Sequence, residues 1–182
     1  MSLFVGLEHT DYQDFLRAVG YLADTNGWRD LRLVEHRRGL TLQARDAADL
    51  PRGFRLHQFT TDDCLALLRE AYARRGTGSL VQPPAAGSAA PTVPRFPPLD
   101  EAGYQGVLRA VGRLLDREDL RFVRLVERRH SLVVQGSHYG ESLRRPVTHH
   151  LTVADVYALL RETSGQRGSG ESGQPPPPPT GT

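Results

Sequence analysis

The sequence predicts an α+β protein built as a tandem duplication. Each lobe would run helix–strand–strand–strand–helix around a three-stranded antiparallel sheet, and the lobes would be related by a pseudo-twofold axis. Three observations predict this. A shift of 92 residues aligns 12–76 with 104–168 without a gap, with 28 identities in 65 positions. Within each copy the apolar spacing switches from helical to alternating and back to helical. Between the copies lies "TGSLVQPPAAGSAAPTVPRFPP" (77–98), rich in Gly, Pro, Ala and Ser and nearly uncharged. Such a stretch buries too little apolar surface to offset its ordering entropy, so it reads as a linker. The expected division is a first lobe at 1–76, a linker at 77–98, a second lobe at 99–168 and a disordered Pro-rich tail at 169–182.

The first element is a helix from about Thr10 to Thr25. Phe15, Leu16, Val19, Leu22 and Ala23 follow helical spacing. "TDYQ" (10–13) has the spacing of a capping box, and "NG" (26–27) supplies a stop. Val107, Leu108, Val111, Leu114 and Leu115 repeat the stripe in the second copy. Gly20 and Gly112 fall inside these helices, where each costs up to about 1 kcal/mol relative to Ala. A close backbone approach by the sheet is the expected reason.

A hairpin follows. In "DLRLVEHRRGLTLQAR" (30–45) Leu31, Leu33 and Glu35 face one way, with Arg32 and Val34 facing the other. Turning at Arg37–Arg38 pairs Leu33 with Leu42 and Arg32 with Gln43, so core side chains meet core side chains. The second copy pairs Leu125 with Val134 and Arg124 with Gln135. The third strand is "FRLHQF" (54–59) or "PVTHHL" (146–151). Its facing is ambiguous, with Phe54 and Leu56 reading as buried in one copy and Val147 and Leu151 in the other. The last helix opens with Thr60 and Asp63, or Thr152 and Asp155, at capping spacing. Cys64, Leu67 and Leu68, and Val156, Leu159 and Leu160, form its inner stripe.

A lobe of about 65 residues is marginal alone. Phe122, Val126 and Val133 add apolar surface to the outer face of the second copy. Both points predict that the lobes pack on each other or on a partner.

Composition narrows the functional classes. The formal net charge is +2 over 182 residues, and all 23 basic residues are Arg. Residues 1–76 hold 11 Arg and 11 acids, and residues 98–168 hold 11 Arg and 9 acids. Neither half is a strongly basic body of the kind that signals nucleic-acid binding. The single Cys64 excludes an intrachain disulfide. "MSLFVGLEHT" has neither the basic region nor the apolar run of a secretory leader, and no apolar stretch approaches the ~18 residues of a membrane span. A cytoplasmic protein without membrane attachment is expected.

The element order resembles the double-stranded-RNA-binding domain in topology. That resemblance implies phosphate-gripping residues at the start of the last helix. Here those places hold Thr61, Asp62 and Asp63, and Val153, Ala154 and Asp155. Carboxylates there cap the helix and repel phosphate. The family's Gly-Pro-x-His loop is replaced by "HRRG" (36–39) and "RRHS" (128–131), so the chain is not assigned to it.

The candidate binding residues fall into two sets. Arg37, Arg38, Arg128 and Arg129, with His130, project from the hairpin tips, where they could hold phosphates or the acidic surface of a partner. Arg32 with Gln43, and Arg124 with Gln135, form cross-strand pairs on the outer sheet face. His57 and His149 would join them if the third strand faces that way. No catalytic motif stands out. Cys64 sits on an apolar stripe, and "GSHYGES" (136–142) lacks the Gly-x-Ser-x-Gly elbow. His130, His138, His149 and His150 lack metal-ligand spacing, since neighbours on a strand point to opposite faces. No cofactor or metal is expected.

The leading expectation is a non-enzymatic interaction or adaptor protein that offers a duplicated sheet surface and Arg-bearing tips to a protein partner. The alternatives are nucleic-acid binding through the same arginines, and a small-ligand or enzymatic site between the lobes using His149, Glu127 and Glu35. Glu35 and Glu127 end core-facing rows, where pairing with a nearby Arg is the simpler role.

Overall fold

The computed structural model describes residues 11–36, 38–46, 53–75, 96–138 and 146–165. Most of the segment read as linker, and the Pro-rich tail, lie outside the described residues. The elements are α1 (Tyr12–Thr25), β1 (Trp28–His36), β2 (Gly39–Asp46), β3 (Arg55–Thr60), α2 (Thr61–Arg75), α3 (Pro97–Arg117), β4 (Leu120–Arg128), β5 (Ser131–His138), β6 (Val147–Thr152) and α4 (Val153–Gly165). The element order is the expected one. The third helix, however, begins at Pro97 and is preceded by a buried Phe96. Phe96 and the first turn of this helix therefore fall inside the stretch read as linker.

The expectation of two separate three-stranded sheets is corrected. All six strands form one antiparallel sheet in the order β3-β2-β1-β4-β5-β6. Its halves join where β1 pairs with β4, through Arg32–Val126, Leu33–Leu125 and Val34–Arg124. The central pair is Leu33 and the residue 92 positions later. The predicted hairpin registers hold: Leu33 opposes Leu42 and Arg32 opposes Gln43, while Leu125 opposes Val134 and Arg124 opposes Gln135.

Both hairpins carry a bulge. In β1, Asp30 and Leu31 together oppose Ala44, because the register moves from Arg29–Arg45 to Arg32–Gln43. In β4, Phe122 and Val123 together oppose Gly136. Asp30 and Phe122 have φ of 55° and 57°, the left-handed conformation that an inserted residue can demand.

The helices cover one face. Leu31, Leu33, Leu40, Leu42, Val123, Leu125, Leu132 and Val134 are buried beneath them. Cys64 and Leu68 seal one flank from α2, and Val156 and Leu159 the other from α4. Each outer helix opens with a reciprocal cap: the Thr60 N–H donates to Asp63 Oδ2 at 2.8 Å, and the Asp63 N–H donates to Thr60 Oγ1 at 3.3 Å. Thr152 and Asp155 repeat this at 2.8 and 3.3 Å. The capping expectation is met there.

At α1 the expected Thr10 cap lies outside the described residues. The N-cap of α1 is Asp11, and its side chain makes no capping bond. The cap comes from the other half instead. Asp116, at the end of α3, accepts from the N–H groups of Tyr12 and Gln13 at 2.8 and 2.9 Å. Asp24, at the end of α1, accepts from Tyr104 and Gln105, both at 2.9 Å. Those amides stand at a helix start because Gly103, at φ 63°, interrupts α3 and restarts it at Tyr104. Each helix thus closes the start of its antiparallel neighbour.

The two glycines have the same origin, which corrects the expectation that the sheet approaches them. A Cβ on Gly20 would lie 2.5 Å from the Tyr104 carbonyl oxygen, and one on Gly112 would lie 2.5 Å from that of Tyr12. α1 and α3 cross backbone to backbone at these points. Gly112→Ala must push the helices apart, at a cost of about 1–3 kcal/mol typical of overpacking. Its urea midpoint should fall accordingly; an unchanged midpoint would contradict the crossing.

Candidate functional site

One face of the sheet is sealed by helices and the other carries none of the described ones. The alternation of side chains and the strand register lay two rows of residues across this open face. One row runs Leu56, Gln43, Arg32, Val126, Val133, His150; the other runs Gln58, Thr41, Val34, Arg124, Gln135, Thr148. The two predicted Arg–Gln pairs therefore become neighbours at the sheet centre, each Arg beside a valine of the other half. Arg32 and Arg124 are exposed, and Gln43 and Gln135 are partly so. Gln135 Nε2 donates to Thr148 Oγ1 at 3.2 Å.

The histidines do not join this patch. The row between the two, on the helix side, runs His57, Leu42, Leu33, Leu125, Val134, His149. His57 packs on Trp28, with ring centroids 4.4 Å apart. His149 Nε2 lies 2.9 Å from Glu118 Oε2. The third strand of the first half consequently turns Phe59 inward and leaves Phe54 and Leu56 outside, 37% and 56% exposed. The reading of Phe54 and Leu56 as buried is corrected.

The hairpin tips are not brought together. Arg38, Arg128, Arg129 and His130 are exposed, while Arg37 lies outside the described residues. Because β1 and β4 are antiparallel about Leu33–Leu125, the tips point to opposite ends of the sheet. At about 3.3 Å per residue they are about 30 Å apart. They do not make one basic patch.

The space between the halves is packed with bonded carboxylates. Glu35 Oε2 accepts from the Tyr12 hydroxyl at 2.6 Å and from the Val123 N–H at 2.8 Å. Glu127 Oε2 accepts from the Tyr104 hydroxyl and from the Leu31 N–H, the latter at 2.8 Å. The amides are those of the two bulges. Glu35 is thus bonded to a hydroxyl and a backbone amide, with the Arg121 charge near enough to favour its ionised form. His149 lies two strands from Leu125, about 10 Å away, so it does not converge with Glu127 on one site. Burial pushes the Glu35 carboxyl above its ordinary value, and the Tyr12 and Val123 bonds only partly offset this. Burial likewise pushes the Cys64 thiol up to about 12, which leaves it a poor nucleophile near neutral pH. Among the described residues no group of three or more His, Cys, Asp or Glu is placed to hold a metal ion.

Sequence reasoning missed Tyr12, Tyr104, Asp24 and Asp116. One signal was available: each of these types recurs 92 residues on, at positions where neither periodicity nor capping requires it. Among the described residues no helix is long and apolar enough to cross a membrane. Comparison with protein-family models, with curated proteins and with solved structures finds no match.

The raised Glu35 carboxyl predicts a pH dependence. A carboxyl with a folded-state pKa above its unfolded value favours folding fully only below the unfolded value, and that contribution is lost as pH rises through the folded one. The stability of Glu35→Gln relative to the parent chain should therefore rise as pH increases from about 4.5 towards neutrality. Urea midpoints across this range test it; parallel profiles for the two proteins would contradict it.

Proposed function

We propose that this chain is a non-enzymatic interaction protein. In this reading it is a tandem duplication whose two α-β-β-β-α units share one sheet and present its open face to an acidic protein partner. The carrying observation is the pair of rows on that face. Arg32 and Arg124 occupy its centre, with Arg45 and Arg128 towards its margins. Asp30, whose Oδ2 lies 3.5 Å from Arg45 Nη1, is the one carboxylate ion-paired to these four arginines among the described residues. Charge complementarity selects an acidic partner.

The interleaved Val34, Val126, Phe54 and Leu56 favour a protein over a phosphate backbone. Protein contacts reward apolar neighbours of an Arg, whereas backbone binding needs a continuous cationic track. The separation of the tips, about 30 Å at strand rise, supports the same choice. The duplication reading rests on the 92-residue offset, which relates the strand registers, bulges, Asp caps and Tyr–Glu pairs of the two halves.

A photo-crosslinking residue at Val34 or at Val126, introduced in cells that make the protein natively, tests the reading. Both should give an adduct to the same protein, absent when the crosslinker replaces the exposed helix residues Arg69 or Arg161. Arg32→Glu with Arg124→Glu should abolish it. Adducts from the helix side alone, or none from either valine, would overturn the proposal. Fluorescence anisotropy with short duplex and single-stranded RNA and DNA should show no saturable binding even at low salt. Saturable binding lost on Arg38, Arg128 and Arg129→Ala would favour a nucleic-acid partner instead.

A further inference from the structure

The open face differs between its halves at one place. Phe54, immediately before β3, has two guanidinium groups over its ring. Arg32 from β1 and Arg45 from β2 each place Cζ 4.5 Å from the ring centroid. The positions 92 residues later hold Pro146 for Phe54 and Ser137 for Arg45; Arg124 alone recurs. Two like charges are thus gathered on one exposed ring in the first half only. Stacking on an aromatic face restrains the long Arg side chains and leaves their in-plane N–H groups directed outwards.

The anion balance at this cluster is incomplete. Asp30 reaches Arg45 at 3.5 Å, longer than a good charge-assisted hydrogen bond of about 2.7–2.9 Å. Arg45 Nε, itself buried, makes no hydrogen bond, while the Arg45 side chain as a whole is partly exposed. Among the described residues no carboxylate lies within ion-pair distance of Arg32. Leu56, at 56% exposure, sits in the same cross-sheet row as Arg32. An oxyanion bound between the two forks would therefore lie next to an apolar surface.

We infer that Arg32, Arg45 and Phe54 form a carboxylate-anchoring site, which takes an acidic side chain of the protein partner while an adjacent apolar side chain covers Leu56. The inference rests on the open-face reading and deepens it. Two halves of one face become unequal, so a partner binds in a single orientation, anchored over the first half. Gln43, Gln135 and Arg124 then orient the partner without anchoring it.

The test uses the full chain, labelled with nitrogen-15, and N-acetyl-glutamyl-leucinamide as the probe. Arginine Nε–Hε resonances are followed through the titration. Arg32 and Arg45 should shift along a saturable curve while Arg124 and Arg128 do not, and N-acetyl-glutaminyl-leucinamide should move none of them. Phe54→Ala should weaken the apparent affinity about fivefold, the equivalent of one cation–π contact. Phe54 is exposed, so an unchanged amide spectrum away from β3 confirms that the variant is folded. No saturable shift at Arg32 and Arg45, or equal shifts at Arg124 and Arg128, would overturn the anchoring site. If crosslinks at Val34 and Val126 persist in that case, the open-face reading stands and the anchor alone falls. If both are lost, both fall.

Discussion

The bulged amides of Leu31 and Val123 would be orphaned inside the sheet without the carboxylates of Glu127 and Glu35. Each carboxylate belongs to the opposite half, and each is held in place by a tyrosine of its own half. A buried N–H left without a partner costs about 1–3 kcal/mol. Removing either half would expose one such amide and leave a buried carboxylate without its second donor. The ladder between β1 and β4 is only three residue pairs long, and the two carboxylates flank it. Above them, α1 and α3 touch backbone at two glycines and exchange Asp caps. Sheet and helix layers are thus joined at the same place by different chemistry.

This junction explains why a unit of about 65 residues need not be stable alone. The interior face of each half is completed by the other, through Leu33 on Leu125 and through the helix crossing. It also accounts for the open side. The helices are committed to one face, so the opposite face is left to display Arg32, Val34, Arg124 and Val126. Fusion into one sheet brings the pairs Arg32–Gln43 and Arg124–Gln135 next to each other and sends the hairpin tips apart. A single surface at the sheet centre follows, rather than two separate tips.

Much of the local structure was legible in the sequence. The registers of both hairpins followed from apolar alternation, because a one-residue slip would have exposed Leu33 and Leu42 together. The Thr–Asp caps of the outer helices lie three residues apart and needed no tertiary context. The contacts between halves were not legible. Asp116 and Tyr12 are 104 residues apart, and periodicity reports which face a residue takes, not what it meets there. Glu35 fell on a core-facing row, and its partners could not be read because one is a backbone amide created by a distant bulge. The third strand misled through composition. Phe54 and Leu56 are apolar and lie outside, while His57 lies inside against Trp28, because the register with β2 overrides hydrophobicity at a sheet edge.

The central claim is that the two halves form one cooperative unit. Native-state hydrogen exchange at increasing urea, read at the amides of Leu42 in β2 and Val134 in β5, tests it most directly. Cooperative unfolding predicts that both amides converge on the same opening free energy with the same urea dependence. Convergence on two different values, with one half opening while the other stays protected, would contradict it.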